Sequence, residues 1–249
     1  MIASREIARR ARQLGVQPSH IERDYVLNHV LAAISEAETE LTFRGGTALA
    51  RVYWPDFRLS EDLDFLLAHL ADANGLLAAA VDVASERTRR ALTMTRRRAH
   101  EGWFQAAIEW EGGVLQVDVN QAESPAPRVD RRPLQLAYSD LNDRERLISV
   151  VALGGILADK WYLLEERDEP RDLFDLWWGL CRAGVAFEDV AESFRARYGY
   201  APPARAIPSA ERLRPLWETR LAHQIGDLPP FDEVLLATRK AFEAFAGEG

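Results

Sequence analysis

The stretch FRGGTALARVYWPDFRLSEDLDFLL, residues 43 to 67, decides the predicted fold. Its first part predicts a short strand at 41–44 that turns at Gly45 and Gly46 into a helix over 47–53. Such a turn exposes the first backbone N–H groups of the helix, and glycine lets an anion approach them closely. In isolation the pair favours a tight turn, because the other residues of a phosphate-binding loop or dinucleotide motif are missing.

The last part of the same stretch carries two carboxylates on one face of a strand. Asp62 and Asp64 alternate with Leu63 and Phe65, which is the two-residue period of a strand with one acidic and one apolar face. Neighbouring carboxylates repel each other unless a cation lies between them, and proteins bind Mg²⁺ with carboxylates and substrate phosphates. A solvated edge strand also explains the pattern, so it needs support from another segment.

A second acidic strand supplies that support. Residues 93–110 and 114–120 predict two strands joined by a Glu-Gly-Gly hairpin turn. In the second strand the valines and leucine share one face, which leaves Asp118 on the other. Three strand-borne carboxylates after a Gly-Gly turn suit a two-metal site for phosphoryl or nucleotidyl transfer. The expected metal ligands are Asp62, Asp64 and Asp118, and one of these acids can help deprotonate the attacking hydroxyl.

The segment LADKWYLLEERDEPRDLFDL, residues 157 to 176, predicts two helices that break at a proline. On the first helix Lys160 and Arg167 lie seven residues apart and share the polar face, where two cations suit a triphosphate. The second helix carries acids three residues apart, and an arginine that can pair with the second acid. An ordinary surface ion pair explains this spacing as well. The candidate residues of both helices are Lys160, Arg167, Arg171, Asp172 and Asp175.

The order of the predicted elements indicates an α/β fold of the α+β type, with a small mixed-sheet core flanked by helices and a C-terminal helical lobe. We place the core at residues 1–140 and the lobe at residues 141–249, with a connector at residues 124–133. Ser19 is the expected N-cap of the second helix. Helices are predicted at residues 4–14, 20–38, 74–92, 143–167, 171–182, 187–198, 209–223 and 231–246.

Composition excludes several classes of protein. The 249 residues are 47% hydrophobic with a net charge of −8, which suits a globular protein and not a general nucleic-acid coat. No stretch approaches the roughly 18 consecutive apolar residues of a membrane span, and residues 1–14 lack the apolar run of a signal peptide, so we expect a cytoplasmic protein.

The single cysteine, Cys181, is expected to be buried. The five histidines show no ligand spacing and predict neither a zinc site nor a histidine base.

One segment reverses the overall charge. Between Arg87 and Arg98 the chain carries six arginines and no acid. Such a patch can attract the phosphates of RNA. A solvated helix and strand face explains it as well, because charge runs usually lie at the surface.

Three separated segments together resemble a known family. IERDYVLNHVLAAI, FRGGTALARVY…FRLSEDLDF and LADKWYLLEERDEPRDLFDL look like the AbiEii/AbiGii-type nucleotidyltransferase toxins, a branch of the DNA polymerase β-like nucleotidyltransferase superfamily. The resemblance extends over residues 20 to 180, with the motifs in the expected order. It implies that Gly45, Gly46 and Thr47 hold a triphosphate and that Asp62 and Asp64 bind Mg²⁺, or Mn²⁺ in its place.

The same resemblance extends to the helical motif and to the function. It implies that Lys160 contacts the triphosphate and that Asp175, with Arg171 and Asp172, completes the site. It further implies transfer of a nucleotide from an NTP to an RNA acceptor, with the 3′ end of tRNA as the expected one. The protein would be the toxin of a bacterial toxin–antitoxin or phage-defence system, with a cognate antitoxin as partner and no membrane.

Two alternatives stay open at the level of sequence. The same core can transfer a nucleotide to a small molecule or to a protein hydroxyl, and the sequence discriminates poorly between these acceptors and RNA. A chain that kept the fold without turnover would be a nucleotide- or RNA-binding module. The presence of Asp62, Asp64 and Lys160 argues against an inactive module, because such a module tends to lose its acids first.

Overall fold

The computed structural model describes residues 4–55, 57–122, 124–202 and 210–247. The chain divides into two compact units, Met1–Ser124 with Val129–Val151, and Pro125–Arg128 with Ala152–Gly249. The division follows Val151, later than the predicted position near residue 140, because a strand of the first unit's sheet ends there. Among the described helices, none is long and apolar enough to cross a membrane.

The first unit contains a mixed sheet, which together with its helices confirms the α/β prediction. Neighbouring strands of this sheet pair antiparallel, with two exceptions: Asp62–Leu67 pairs with Gly113–Gln121, and Thr42–Arg44 pairs with Leu147–Val151, in parallel. The strands are β1 Thr42–Arg44, β2 Asp62–Leu67, β3 Thr93–His100, β4 Trp103–Trp110, β5 Gly113–Gln121, β6 Val129–Pro133 and β7 Leu147–Val151. In the described residues, their order across the sheet is β3-β4-β5-β2-β1-β7-β6.

The helices of the first unit are α1 Ser4–Leu14, α2 Pro18–Glu36, α3 Gly45–Ala48 and α4 Ala73–Thr88. The expected N-cap at Ser19 is wrong: α2 begins at Pro18, and Gln17 occupies the N-cap position without a capping hydrogen bond from its side chain. Proline fits the first turn of a helix, where its missing N–H is not needed. After α3 the chain continues as a π-helical turn, Leu49–Tyr53. The central part of α2 is buried on nearly all sides, and it packs against α4 and the sheet.

Three predicted elements of this region are wrong in detail. The predicted strand over 93–110 is broken into β3 and β4 by a turn in which Gly102 has φ +75°. The predicted connector at 124–133 contains β6. The predicted helix over 143–167 begins with β7 instead, because the sequence LISVV is rich in the branched side chains that favour a strand.

The second unit consists of helices around an aromatic core. They are α5 Leu153–Glu166, α6 Pro170–Trp177, α7 Phe187–Tyr198, α8 Ala210–Leu213, α9 Trp217–Leu221 and α10 Phe231–Gly247. The predicted helix at 209–223 is divided into α8 and α9, and its first residue, Ser209, lies outside the described residues. Trp161 packs its ring against those of Phe187 (centroids 5.0 Å apart) and Phe242 (4.6 Å). Cys181 is exposed, so its predicted burial is wrong; it lies on a π-helical turn after α6.

Candidate active site

The Gly-Gly turn leads directly from β1 into α3. Gly45 has φ +76°, a left-handed conformation that glycine adopts readily. A Cβ atom on Gly45 would collide with the carboxylate of Asp64, and one on Gly46 would collide with the guanidinium of Arg58 and lie 3.4 Å from the hydroxyl of Ser60. A side chain at either glycine would therefore displace a side chain of the next strand or of its preceding loop. Arg58 is buried, and its contact with the turn could not be predicted from its place in the recognised motif.

Thr47 fastens this turn to the start of β2. Its buried hydroxyl donates to the backbone carbonyl of Asp62 (2.5 Å) and lies 2.7 Å from the hydroxyl of Ser60. These contacts occupy the hydroxyl, so the group that Thr47 can offer to a ligand is its backbone N–H in the first turn of α3. Hydrogen bonding thus couples the turn to the strand that carries the acidic pair.

The register of the sheet brings the predicted carboxylates together. Asp64 of β2 lies opposite Asp118 of β5, and Asp62 lies opposite Gln116. Paired residues on neighbouring strands, about 4.8 Å apart, point to the same face of a sheet, and Asp62 shares that face with Asp64. The structure therefore places all three predicted carboxylates on one face of two adjacent strands.

These acids fit a cation that also binds substrate. In the described part of the chain no three His, Cys, Asp or Glu side chains converge closely enough to hold a metal ion by themselves. Mg²⁺ is commonly bound by one or two carboxylates together with substrate phosphates, and Asp62 and Asp64 supply hard oxygen donors of that kind beside the Gly-Gly turn. The donor set fits a divalent cation that arrives with a triphosphate, and does not form a closed protein cage.

Asp118 is held by two neutral groups of β4. Its Oδ1 atom accepts a hydrogen bond from Trp103 Nε1 (3.1 Å) and another from Gln105 Nε2 (2.9 Å). Neither donor carries a charge, so the negative charge of the carboxylate is not neutralised by them. Neither Trp103 nor Gln105 was predicted from the sequence. Because they lie two residues apart, a strand would place them on one face, and this spacing can be read from the sequence. The register of β4 against β5, which brings them to Asp118, cannot be read from it.

The helical motif forms a buried ion-pair network within the second unit. Lys160 Nζ lies 2.8 Å from Asp172 Oδ1 and 3.0 Å from Asp175 Oδ2, and the Nε and Nη2 atoms of Arg167 donate to Asp172 at 2.8 and 3.2 Å. Both aspartates are 0% exposed. Although burial opposes the charged form, the hydrogen bond to Asp172 raises the pKa of Arg167. Both acids of the motif are therefore internal and not solvated.

Arg171 has a local role at the start of α6. Its guanidinium donates to Glu169 Oε2 (3.0 Å), and its backbone N–H donates to Glu169 Oε1 (3.3 Å), so Glu169 caps the helix. Burial opposes ionisation of Glu169, but the bond from Arg171 lowers the pKa of that carboxyl. The pairing of Arg171 with Asp175 stays a prediction.

The described arginines of the arginine-rich segment in the first unit are divided between partly buried and exposed positions. Arg87 donates to both oxygens of Glu36 (3.1 and 2.5 Å), which also accepts from Arg146 (2.7 Å). Burial opposes ionisation of Glu36, yet these bonds lower its pKa to about 2. The side chain of Arg96 lies outside the described residues. The arginines exposed to solvent in the described part of the segment are Arg89, Arg97 and Arg98.

Comparisons with known proteins agree with this architecture. The family model of the nucleotidyl transferase AbiEii toxin, type IV toxin–antitoxin system, matches residues 28–245. Among solved structures, MenT4, a nucleotidyltransferase toxin from Mycobacterium tuberculosis H37Rv, is similar with a TM-score of 0.70 at 17% identity, over 97% of this chain and 89% of that one. JHP933 from Helicobacter pylori is similar with a TM-score of 0.57 at 16% identity, over 90% and 92%.

A nucleotidyltransferase from H. pylori described as putative gives the same TM-score of 0.57 and identity of 16%, over 90% and 95% of the two chains. A search of curated protein sequences finds no match. At these identities the structural likenesses show the fold alone, whereas the family model spans most of the chain. The chain therefore belongs to the AbiEii family of nucleotidyltransferase toxins, as its motifs predicted, and is a nucleotidyltransferase.

Proposed function

We propose that this enzyme transfers a nucleotide from an NTP to an RNA acceptor, the 3′ end of tRNA, and that a cognate antitoxin restrains it as a toxin. The observation that carries the chemistry is the register of Asp64 with Asp118 on the face that also holds Asp62, beside the Gly-Gly turn. Exposed arginines at the edge strand β3 support an RNA acceptor, because they suit phosphate contacts that are independent of sequence. The antitoxin and a cytoplasmic location stay predictions from the sequence.

The sheet-borne acids would receive the cation. Asp62 and Asp64 would hold Mg²⁺ or Mn²⁺ with Asp118 as a further ligand, and the cation would neutralise charge on the phosphates. The backbone N–H groups at the start of α3 would bind the triphosphate, since Gly45 and Gly46 leave room there. The acceptor hydroxyl would attack the α-phosphorus, its proton would pass to a carboxylate of this face, and pyrophosphate would leave.

The helical network would supply a positively charged side chain to the triphosphate. From the family resemblance we assign Lys160 to binding of the triphosphate. Arg167 and Arg171, which follow Lys160 in the sequence, are assigned to the same ligand. Asp172 and Asp175 would then orient the ammonium group, which they bind within the second unit at 2.8 and 3.0 Å.

A labelled-nucleotide assay tests the proposed function. The protein is incubated with each labelled NTP, Mg²⁺ and total RNA, and compared with Asp62→Ala. We expect label in the tRNA band, and a loss of roughly 10³-fold in kcat/KM in the variant, about 4 kcal/mol of transition-state stabilisation. The matched control is Asp82→Ala, which removes an exposed aspartate of α4 and should label tRNA at the wild-type rate.

The outcomes separate the remaining alternatives. Label that appears in a protein or small-molecule fraction and disappears in Asp62→Ala would establish the alternative acceptors in place of RNA. An absence of incorporation into any acceptor, with binding of an NTP retained, would instead identify a binding module. Equal labelling by wild type and Asp62→Ala would contradict the assigned role of this carboxylate.

A further inference from the structure

Two residues outside the recognised motifs contact the third carboxylate. We propose that Trp103 and Gln105 are positioning residues that bind one oxygen of Asp118 and leave the other directed toward Asp64. The inference rests on the proposed function, in which Asp118 is a ligand of the divalent cation. It adds the groups that orient this ligand before the cation and triphosphate arrive.

The order of the strands sets the direction of these contacts. β5 lies between β4 and β2, so Asp118 has its two donors on one side and Asp64 on the other. Gln105 is the direct cross-strand partner of Asp118, and Trp103 is paired with Asn120, the next residue on the same face. Both donors bind the same oxygen, Oδ1, at 2.9 and 3.1 Å. The second oxygen, Oδ2, is therefore the one directed away from β4.

The chemistry of the donors suits a ligand that must keep its charge. An indole N–H only donates, and the amide nitrogen of glutamine donates as well, and both groups are neutral. An arginine or lysine in their place would neutralise Asp118 and compete with the cation. Two neutral hydrogen bonds to one oxygen restrict rotation of the carboxylate while its net charge remains.

The position of Asp64 explains why such restriction is needed. Asp64 and Asp118 are in register on neighbouring parallel strands, so their like charges repel each other when no cation is bound. A carboxylate that rotated freely would turn away from its neighbour. Trp103 and Gln105 oppose that rotation, so less conformational freedom has to be lost when the cation binds.

Metal affinity tests the proposal with a readout that does not depend on turnover. Binding of Mn²⁺ in the presence of a non-hydrolysable NTP analogue is measured by the electron paramagnetic resonance signal of free Mn²⁺. Trp103→Phe keeps a ring but removes the donor, and Gln105→Leu removes the other donor with little change in size. We expect each variant to bind Mn²⁺ about tenfold more weakly than wild type, the usual loss when a partner of a metal ligand is removed.

The same strand offers a matched control. Trp110 lies at the other end of β4, and its buried indole N–H has no hydrogen-bond partner in the described structure. Trp110→Phe therefore removes an indole N–H that binds nothing, and we expect the wild-type affinity for Mn²⁺. Thermal unfolding of all variants separates loss of fold from loss of affinity.

A double-mutant cycle distinguishes positioning from a general effect on the fold. In an Asp118→Asn background, Trp103→Phe and Gln105→Leu should cause no further loss of Mn²⁺ affinity, because the charged ligand they orient is gone. An undiminished loss in that background would overturn the proposal, since the effect would then bypass Asp118.

Asp62→Asn separates this proposal from the proposed function. If Asp62→Asn weakens Mn²⁺ binding while Trp103→Phe and Gln105→Leu bind as wild type does, the positioning role is wrong and the metal site remains. If Asp62→Asn itself binds Mn²⁺ with the wild-type affinity, the metal site of the proposed function is wrong, and the positioning role fails with it.

Discussion

Asp118 in the sheet and Asp172 in the helical unit have opposite surroundings. Asp172 is fully buried and contacts two cations, Lys160 and Arg167. Asp118 is bound by the neutral side chains of Trp103 and Gln105. The chemistry of its partners therefore determines what each aspartate can do. An acid paired with cations stabilises the fold, whereas an acid held by neutral donors keeps its charge for a cation from solution.

The two groups also differ in how the chain assembles them. Arg167 and Asp172 are five residues apart, and Lys160 and Asp172 are twelve apart, so two successive helices bring them together. Asp64 and Asp118 come from distant segments and meet through the pairing of β2 with β5. The local group can be read from spacing, but the distant group depends on strand order.

The same substitution of aspartate by asparagine, made at positions 172 and 118, is expected to give the largest difference in stability. We expect Asp172→Asn to lower the free energy of unfolding by roughly 3 kcal/mol, because the buried Lys160 loses one of its two carboxylate partners and the half-exposed Arg167 loses the carboxylate it contacts. Asp118→Asn should change it by less than about 1 kcal/mol, since the amide oxygen still accepts from both neutral donors. Urea unfolding at pH 7 measures both, and Mn²⁺ binding should be impaired in Asp118→Asn although its stability is preserved.

Equal stability losses in the two variants would contradict the proposed contrast between Asp118 and Asp172. A loss confined to Asp118→Asn would mean that the sheet acid, and not the helical one, depends on its neighbours for charge balance.

Glu36 is an acid paired with cations in the sheet-bearing unit, so it tests whether such pairing stabilises that unit as well. Its pKa is lowered from 4.5 to about 2 by hydrogen bonds from Arg87 and Arg146, in opposition to burial. A depressed pKa contributes stability that is complete above about pH 4.5 and is lost as the pH falls to about 2. We expect Glu36→Gln to be less stable than wild type by about 2–3 kcal/mol at pH 7, with the difference shrinking across that window.

Chemical unfolding of both proteins from pH 7 to pH 2.5 provides the measurement. A difference that stayed constant over this range would show that Glu36 acts through packing, and the pairing of acids with arginine would then have no bearing on stability here.

The smallest expected effect on stability concerns the Gly-Gly turn beside the acids of the sheet. Gly45→Ala and Gly184→Ala both place a side chain at a positive φ, +76° and +69°, so each should lose about 1–2 kcal/mol of stability. A Cβ on Gly184 meets nothing within 4 Å, whereas one on Gly45 displaces the Asp64 carboxylate. We therefore expect Gly45→Ala alone to lose Mn²⁺ affinity and nucleotidyl transfer. Normal activity in Gly45→Ala would show that the position of Asp64 is not critical.

Local patterns predicted the strand-borne acids but not their supports. The alternation of Asp62 and Asp64 with apolar residues, and the Gly-Gly turn, follow from a few neighbouring residues and are seen in the structure. The donors Trp103 and Gln105 depend on the register of β4, and the contact of Arg58 with the turn depends on where a loop folds back. Neither register nor loop path is encoded in a short window of sequence.

The missed strands show the same limit. β6 is a short, largely exposed edge strand that includes Pro133, so its composition resembles a connector. β7 directly precedes a helix, and its apolar run matches a helical pattern as well as a strand. What identifies both as strands is their pairing with each other and of β7 with β1, which is a property of the folded chain.

The pairing of β1 with β7 has a consequence for synthesis. Phe43 lies beside Val150, which the ribosome adds about a hundred residues later, so at about 5–20 residues per second β1 exists for roughly 5 to 20 s without this partner. During that time β2 can occupy one side of β1, while the other side presents unpaired N–H and C=O groups. Nascent chains that stall before residue 147 are therefore expected to bind chaperones or aggregate through that open side.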